Sequence, residues 1–295
     1  MIKTNKVLLG LLLIFYIPVN AQNNKITLEE KTSSQFYVSA SGGYSFSSAG
    51  VRFGTETTRT RVENTYGSYG EGLNTQLRGG YLFDENFGVE IGFGYLNGAD
   101  QKNLLIDLPD QSQYINIESR GRAYGASASL VYNFTNNIYG RFGALIKLGG
   151  RTESKGKINI ALSQTEKLDV KYTQDYKGRL PLGFIGAVGY KYGLNNNLFL
   201  FAELEYMGVS VTRDSSKMVN FSANVNGETR SIDEVRSILF NHSSYSDLAP
   251  IFNKNVEYVD ELPLGANPVA EKQLSQKVPY SSFGINLGIT YYLGK

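Results

Sequence analysis

The chain of 295 residues reads as an all-β protein, an eight-stranded antiparallel up-and-down transmembrane β-barrel with long extracellular loops. Three observations predict this. Eight segments place apolar residues at every second position, the connections between them are alternately very short and long, and aromatic residues gather beside the short connections. Each segment is about 10 to 13 residues, enough for a tilted strand to cross a bilayer. A soluble sandwich also alternates, but its strands are usually only about 5 or 6 residues long and its polar face meets water.

The chain opens with Lys3 and Lys6, an apolar run from Val7 to Ile17, and Val19-Asn20-Ala21. A charged start, an apolar core and a small-residue end make residues 1–21 a signal peptide cleaved after Ala21. The apolar core is too short for a spanning helix, which needs about 20 residues. Residues 22–34 are then a short polar periplasmic tail, and 35–295 the barrel.

The segments justify themselves in order. The first sets Phe36, Val38, Ala40, Gly42, Tyr44 and Phe46 against Tyr37, Ser39, Ser41 and Ser45. The second carries Leu73, Leu77, Tyr81 and Phe83 opposite Asn74, Gln76 and Arg78; the third carries Phe87, Val89, Ile91, Phe93 and Tyr95 opposite Glu90. The fourth runs through Tyr124, Ala126, Ala128, Leu130, Tyr132 and Phe134, and the fifth through Ile138, Phe142, Ala144, Ile146 and Leu148. The sixth has Leu182, Phe184, Val188, Tyr190 and Tyr192, and the seventh Leu198, Leu200, Ala202, Leu204 and Tyr206. The last has Phe283, Ile285, Leu287, Ile289, Tyr291 and Leu293.

Connection length orients the array. Asp84-Glu85-Asn86, Thr135-Asn136-Asn137 and Gly193 to Asn197 are tight and rich in turn formers. The other links, roughly 47–71, 97–122, 149–179 and 212–280, are long. Short turns on the periplasmic side and long loops outside are the pattern of an outer-membrane barrel. Tyr81, Phe83, Phe87, Tyr132, Phe134, Tyr190, Tyr192 and Tyr291 sit beside the short turns or the C-terminus, where an interfacial girdle belongs.

Composition limits the function classes. The mean hydropathy is −0.24, too low for a bundle of spanning helices and compatible with alternating strands. Loss of Lys3 and Lys6 with the leader brings the 29 basic residues of the full chain level with its 27 acidic ones. Nothing there points to nucleic acid. Cysteine is absent, which excludes disulfides and thiolate metal sites. Tyr, Phe and Gly number 21, 16 and 32, a balance that favours strands and close backbone packing.

The inward parity of the segments carries Arg78, Glu90, Arg141, Lys147, Lys191, Glu203 and Glu205. A mid-membrane Arg or Lys facing lipid costs about 2–4 kcal/mol, so these charges belong in the lumen. A tight turn at Asp84 places Arg78 diagonal to Glu90. Glu203 and Glu205 repel unless Arg141, Lys147 or Lys191 comes between them. The set reads as an ion-pair network plugging a barrel just wide enough for side chains, with an ion pathway as the alternative.

In the longest loop, Ser231-Ile232-Asp233-Glu234 is a capping-box pattern leading into Val235, Ile238 and Leu239 at helical spacing. It predicts a short amphipathic helix across the barrel mouth. Ile158, Ile160 and Leu162, then Leu168, Val170 and Tyr172, predict a hairpin that extends the fifth and sixth segments above the membrane and offers strand edges to a partner. The single histidine, His242, stands two residues before Ser244, the residue types of a base and a nucleophile. No orienting acid is evident beyond Asp247. Asp100, Asp107 and Asp110 read as solvated charges, and no phosphate loop, His-Glu-x-x-His pair or calcium-loop pattern is present.

Strand count, loop alternation and the final strand Phe283 to Leu293 resemble the small outer-membrane barrels of the OmpA transmembrane-domain and OmpX type, in the form common among Bacteroidetes. The resemblance covers about residues 35–295. It implies an outer-membrane location, contact with lipid and lipopolysaccharide, and an insertion signal in the last strand for the barrel-assembly machinery. The chain departs from the pattern by ending Leu293-Gly294-Lys295 instead of in an aromatic residue. The expected function is that of a non-enzymatic barrel, structural, adhesive or an accessory subunit, acting through its outer loops with a partner at 212–280. The alternatives are a small-solute pore and, less favoured, a lipid A hydrolase using His242 and Ser244. No cofactor or metal is expected.

Overall fold

A computed structural model describes residues 34–48, 50–265 and 271–293. The expectations for the leader, 1–21, and for all but the last residue of the tail, 22–34, lie outside them. In chain order the elements are β1 (Gln35–Ser47), β2 (Arg52–Thr58), β3 (Val62–Tyr66), β4 (Gly72–Leu82), β5 (Phe87–Gly98) and β6 (Gln101–Leu108). There follow β7 (Gln113–Asn133), β8 (Ile138–Ala161), β9 (Lys167–Gly178), β10 (Leu182–Gly193), β11 (Leu198–Gly208) and β12 (Ser210–Val225). The remainder is β13 (Glu228–Thr229), helix α1 (Ile232–Phe240), β14 (Asn255–Val259), β15 (Lys272–Leu274), β16 (Lys277–Pro279) and β17 (Ser282–Leu293).

Antiparallel pairing closes a ring of eight strands in the order β1, β4, β5, β7, β8, β10, β11, β17 and back to β1. At the seam Phe36 faces Leu293 and Ser47 faces Ser282. Closure leaves the ring no open edge, so its backbone groups are satisfied inside lipid. The parity expected from sequence holds across the wall: Ile91 is 72% and Phe142 63% exposed, while Arg78 and Arg141 are each 3%. Among the described residues no helix is long and apolar enough to cross a membrane, so strands do the crossing.

The three short turns use one device. Asp84 Oδ1 accepts from the Asn86 and Phe87 N–H groups at 2.8 and 2.7 Å, Thr135 Oγ1 from Asn137 and Ile138 at 3.2 and 2.9 Å, and Asn195 Oδ1 from Asn197 and Leu198 at 2.9 and 2.8 Å. A side-chain acceptor satisfies N–H groups that the turn itself leaves unpaired. These turns put Phe87 opposite Tyr132, and the rings of Phe36 and Tyr81, Phe87 and Tyr132, and Tyr132 and Phe134 lie 4.5, 4.8 and 5.0 Å apart. Phe83, Tyr190, Tyr192 and Tyr291 are exposed on the same outward face.

Outside the ring the connections are largely strand, not loop. β7 and β8 run on together to Gln113 and Ile160, and β6, β2 and β3 add on one side while β9, β12, β14 and β15 add on the other. The hairpin expected at 149–179 is the β8–β9 pair, flanked by further strands that sequence reading left as loop. Where the barrel ends, Tyr124 pairs with Gly149 but Gly125 with Lys147, so Leu148 is bulged out of register. Gly150 just beyond has φ +100°, a backbone state that only glycine adopts freely. An extra residue exchanges the two faces of a strand. In β8 the buried set accordingly changes from Tyr139 and Arg141 to Ile158 and Ile160.

That buried face carries its own core, in which Ile115, Ile117, Ile158, Leu168, Val170, Met218 and Ala223 pack against Val235 and Leu239 of α1 and against Phe252. The Ser231 capping box forms as expected. Its helix does not lie across the barrel mouth, however. The mouth cluster is Tyr69, Leu96, Ala123, Val209, Val211 and Tyr280, and Ile115 and Ile117 lie six to eight residues further along β7 than Ala123, roughly 20–25 Å at strand rise. The apolar side chains of α1 go where an uncovered outer core exists, not to a mouth already filled by tyrosines.

Candidate functional site

The inward residues of the ring build two closures. In the lower one, Arg78 from β4 and Arg141 from β8 converge on Glu203 from β11. Arg78 Nη1 reaches Glu203 Oε2 at 3.0 Å, and Arg141 Nε and Nη2 reach Oε2 and Oε1 at 3.1 and 2.8 Å. Arg141 Nη2 also donates to Glu205, so one guanidinium stands between the two carboxylates that would otherwise repel. Glu90 from β5 lies 3.7 Å from Arg78 Nε, the diagonal that the turn dictates, and 3.9 Å from Arg141 Nη1. All five side chains are nearly inaccessible, at 1–6% exposure.

Neutral groups complete the arrangement. Tyr37 donates to Glu90 at 3.0 Å, Tyr139 to Glu203 at 2.8 Å, and Gln76 Nε2 to Glu205 at 2.8 Å, while Phe201 lies 4.9 Å beneath the Arg78 guanidinium. Shared and multiply bonded carboxylates are what let buried charges stay ionised. Below them the lumen is filled by size complementarity: Tyr37 pairs with Gly80 and Tyr139 with Gly189, and a Cβ on either glycine would meet the facing tyrosine ring. Sequence reading missed Tyr37, Gln76 and Tyr139. The signal was present, since each shares inward parity with a charged or serine neighbour on its own strand.

Lys147 and Lys191, expected in the network, stand outside it. Among the described residues neither makes an ion pair within 4.0 Å. Lys191 Nζ donates to Asn133 at 2.8 Å and Tyr292 at 3.3 Å, near the short turns, because β10 places it four residues below the level of Ala187, the partner of Arg141. Lys147 lies at the other end, its Nζ 5.5 Å from the centre of the Tyr280 ring.

The upper closure is aromatic. Tyr280 and Tyr69 stack at 5.6 Å, Phe53 lies 4.6 Å from Tyr69, and the Tyr280 hydroxyl shares a 2.7 Å hydrogen bond with Thr152. Burial raises the Tyr280 phenol above its ordinary value, so it stays neutral through the physiological range. Backbone bonds from Tyr69 N to Pro279 O and from Tyr280 N to Val209 O, both 3.0 Å, tie the closure to the rim.

The remaining sequence candidates do not assemble. His242 Nε2 lies 3.1 Å from Leu162 O, its Nδ1 accepts the backbone N–H of Ser244 at 3.2 Å, and its ring stacks on Tyr245. Both ring nitrogens are thus engaged away from the Ser244 hydroxyl. Asp110 pairs with Arg59 and Asp100 with Arg120. Among the described residues no three potential ligands gather at a metal-binding spacing.

A closed antiparallel ring with lipid-facing apolar residues, aromatic rings beside short turns and charges only inside defines an outer-membrane β-barrel. The chain belongs to the family described as outer membrane protein beta-barrel domain, which it matches over residues 9–228, and its place is the cell outer membrane. Comparison with curated proteins gave no match. Among solved structures it is similar to a major outer membrane protein from Thermus thermophilus, at 15% identity over 88% of this chain and 100% of that one, TM-score 0.37. It is also similar to Neisserial surface protein A, at 11% identity over 88% and 98%, TM-score 0.33. A third similar structure is Ail, the attachment invasion locus protein of Yersinia pestis, at 10% over 89% and 99%, TM-score 0.29. No residue role is carried over from them.

Proposed function

We infer that this protein is a non-enzymatic surface barrel, closed to solutes, that displays its outer sheet and helix to a protein partner. The observation that carries the closed state is the Arg78, Arg141, Glu203 and Glu205 cluster, which joins three strands of the ring across the lumen at hydrogen-bond distances. Opening a path there means parting buried opposite charges, a step that costs about 3–5 kcal/mol when one partner is lost. The outer sheet supports the display half. It has its own core, and it ends in the edge strand β3, where Val62 and Tyr66 are 70% and 62% exposed, a geometry open to strand addition.

One construction tests both halves. Met207 and Ser282 are register partners, so removal of 212–280 leaves the ends of β11 and β17 side by side, ready for a short turn, with the ring pairing kept. Crosslinking on intact cells followed by purification is expected to yield a protein adduct with the full chain and none with the deleted one. Unchanged adducts overturn the assignment of binding to this region. In planar bilayers the full chain is expected to stay silent. Steady single channels would favour a small-solute pore instead.

A further inference from the structure

Between the two closures the lumen holds a cavity of about 90 Å³. Its origin is in the sequence: Gly92 and Gly94 of β5 and Gly125 of β7 occupy neighbouring inward positions, Gly94 opposite Gly125, and supply no side chains to fill the space. Leu96, Leu145, Ile185 and Val209 make an apolar wall, Gln76 lies on the side of the charge cluster, and Tyr280 on the side of the mouth. Filled with water-sized spheres at about 10–15 Å³ each, the cavity takes roughly six to nine of them.

Two polar groups reach this space without a matching partner. Lys147 lines it, with no hydrogen bond or ion pair among the described residues and only the Tyr280 ring face at 5.5 Å. Asn74 also lines it and is 4% exposed; its Nδ2 donates to Ser45 Oγ at 2.7 Å while its Oδ1 has no partner. A buried acceptor left unpaired costs about 1–3 kcal/mol. The ammonium of Lys147, cut off from the carboxylates below, lacks a counter-charge.

The geometry points to a binding site in the upper lumen for small apolar carboxylates, with the carboxylate on Lys147 Nζ and the hydrocarbon against Leu145, Ile185 and Val209. Apolar walls with one fixed cation select for such a molecule, since a few placed polar groups in an apolar pocket set orientation and specificity. The unpartnered Asn74 oxygen is satisfied by a water in the carboxylate's hydration shell, which a bare hydrocarbon does not bring. Fully polar anions lose their hydration against the leucine and isoleucine wall and gain nothing there. The site goes beyond the closed-barrel reading and does not depend on the outer sheet.

The test uses the full chain in lipid nanodiscs, with empty nanodiscs as reference, and benzoate and benzyl alcohol as probes observed by relaxation-weighted NMR. Benzoate is expected to bind saturably. Lys147→Met is expected to weaken benzoate at least tenfold and change benzyl alcohol less than twofold, whereas Leu145→Trp fills the space and removes benzoate binding. Ile185→Trp, on a different strand, repeats the filling test, and heat-dependent gel mobility shows that each variant is a folded barrel. Absence of saturable benzoate binding by the full chain, which means water alone in the cavity, overturns the proposal. So does Lys147→Met binding benzoate as tightly as the unaltered chain.

Discussion

At the scale of single residues, partnership decides what a buried charge does. Arg141 holds two carboxylates and Lys191 holds none, although both face inward. Arg141→Met leaves Glu203 and Glu205 facing each other with one arginine fewer, and is expected to lower unfolding stability in urea by about 3–5 kcal/mol. Lys191→Met removes two hydrogen bonds to neutral partners, with an expected loss of about 1 kcal/mol. Equal losses in the two variants would mean that pairing is not what holds the lumen. Asp84 gives a prediction outside the membrane. The Phe87 and Asn86 N–H groups hold its carboxyl below the ordinary carboxylate range. Its contribution to the turn is therefore complete above the ordinary carboxylate value and is lost as pH falls through the depressed one. The amide shifts of Asn86 and Phe87, followed by NMR, should titrate with that low midpoint and stop titrating in Asp84→Asn. The charged members of the lumen set were legible because period-2 parity assigns a face to every residue. Tyr37 and Tyr139 were not, since an aromatic residue is read by its ring and its hydroxyl finds a use only when the opposite strand is known.

At the scale of elements, the ring was legible and the outer sheet mostly was not. Lipid imposes one apolar face on every barrel strand, so the pattern repeats with constant polarity. The outer strands answer to a small local core, and their patterns vary: β2 is nearly all polar, while β6 carries Leu104, Leu105 and Ile106 in succession. The bulge at Leu148 adds a phase change that an uninterrupted reading of β8 cannot contain. It also makes a prediction. Deleting Leu148 keeps the barrel part of β8 in register but turns Ile158 and Ile160 away from the core. The variant should keep the heat-dependent gel mobility of a folded barrel and lose protease resistance between residues 113 and 178. Retained resistance would mean that the outer core tolerates either face. The helix was legible from its capping box alone, yet its position was not, because Val235 and Leu239 seek the nearest uncovered apolar surface and that surface was hidden in unrecognised strands.

At the scale of the whole molecule, the two closures act in series. The charge cluster draws on β4, β5, β8 and β11, and the tyrosine closure draws on the segment before β4 and on Tyr280 before β17. Removing one leaves the other, so neither Tyr280→Ala nor Arg78→Ala alone is expected to give channels in planar bilayers. Tyr69→Ala and Tyr280→Ala combined with Arg78→Ala and Arg141→Ala should give them. Steady conductance from either single variant would show that one closure carries the seal by itself. Location and family follow from the ring; the identity of a partner depends on surface residues of the outer sheet, where exposure leaves many side chains compatible with one backbone.

The unbroken pairing of β7 with β8, from Tyr139 opposite Asn133 beside the short turn to Ile160 opposite Gln113 at the outer tip, has a mechanical consequence. At about 3.3 Å per residue the ribbon spans roughly 70–80 Å. A pull on the outer tip acts along these strands and shears their hydrogen bonds together, instead of peeling them one at a time. Tension gathered outside the cell is thereby led through the membrane to the turn at Thr135, with the lipid-anchored wall bearing it along the way.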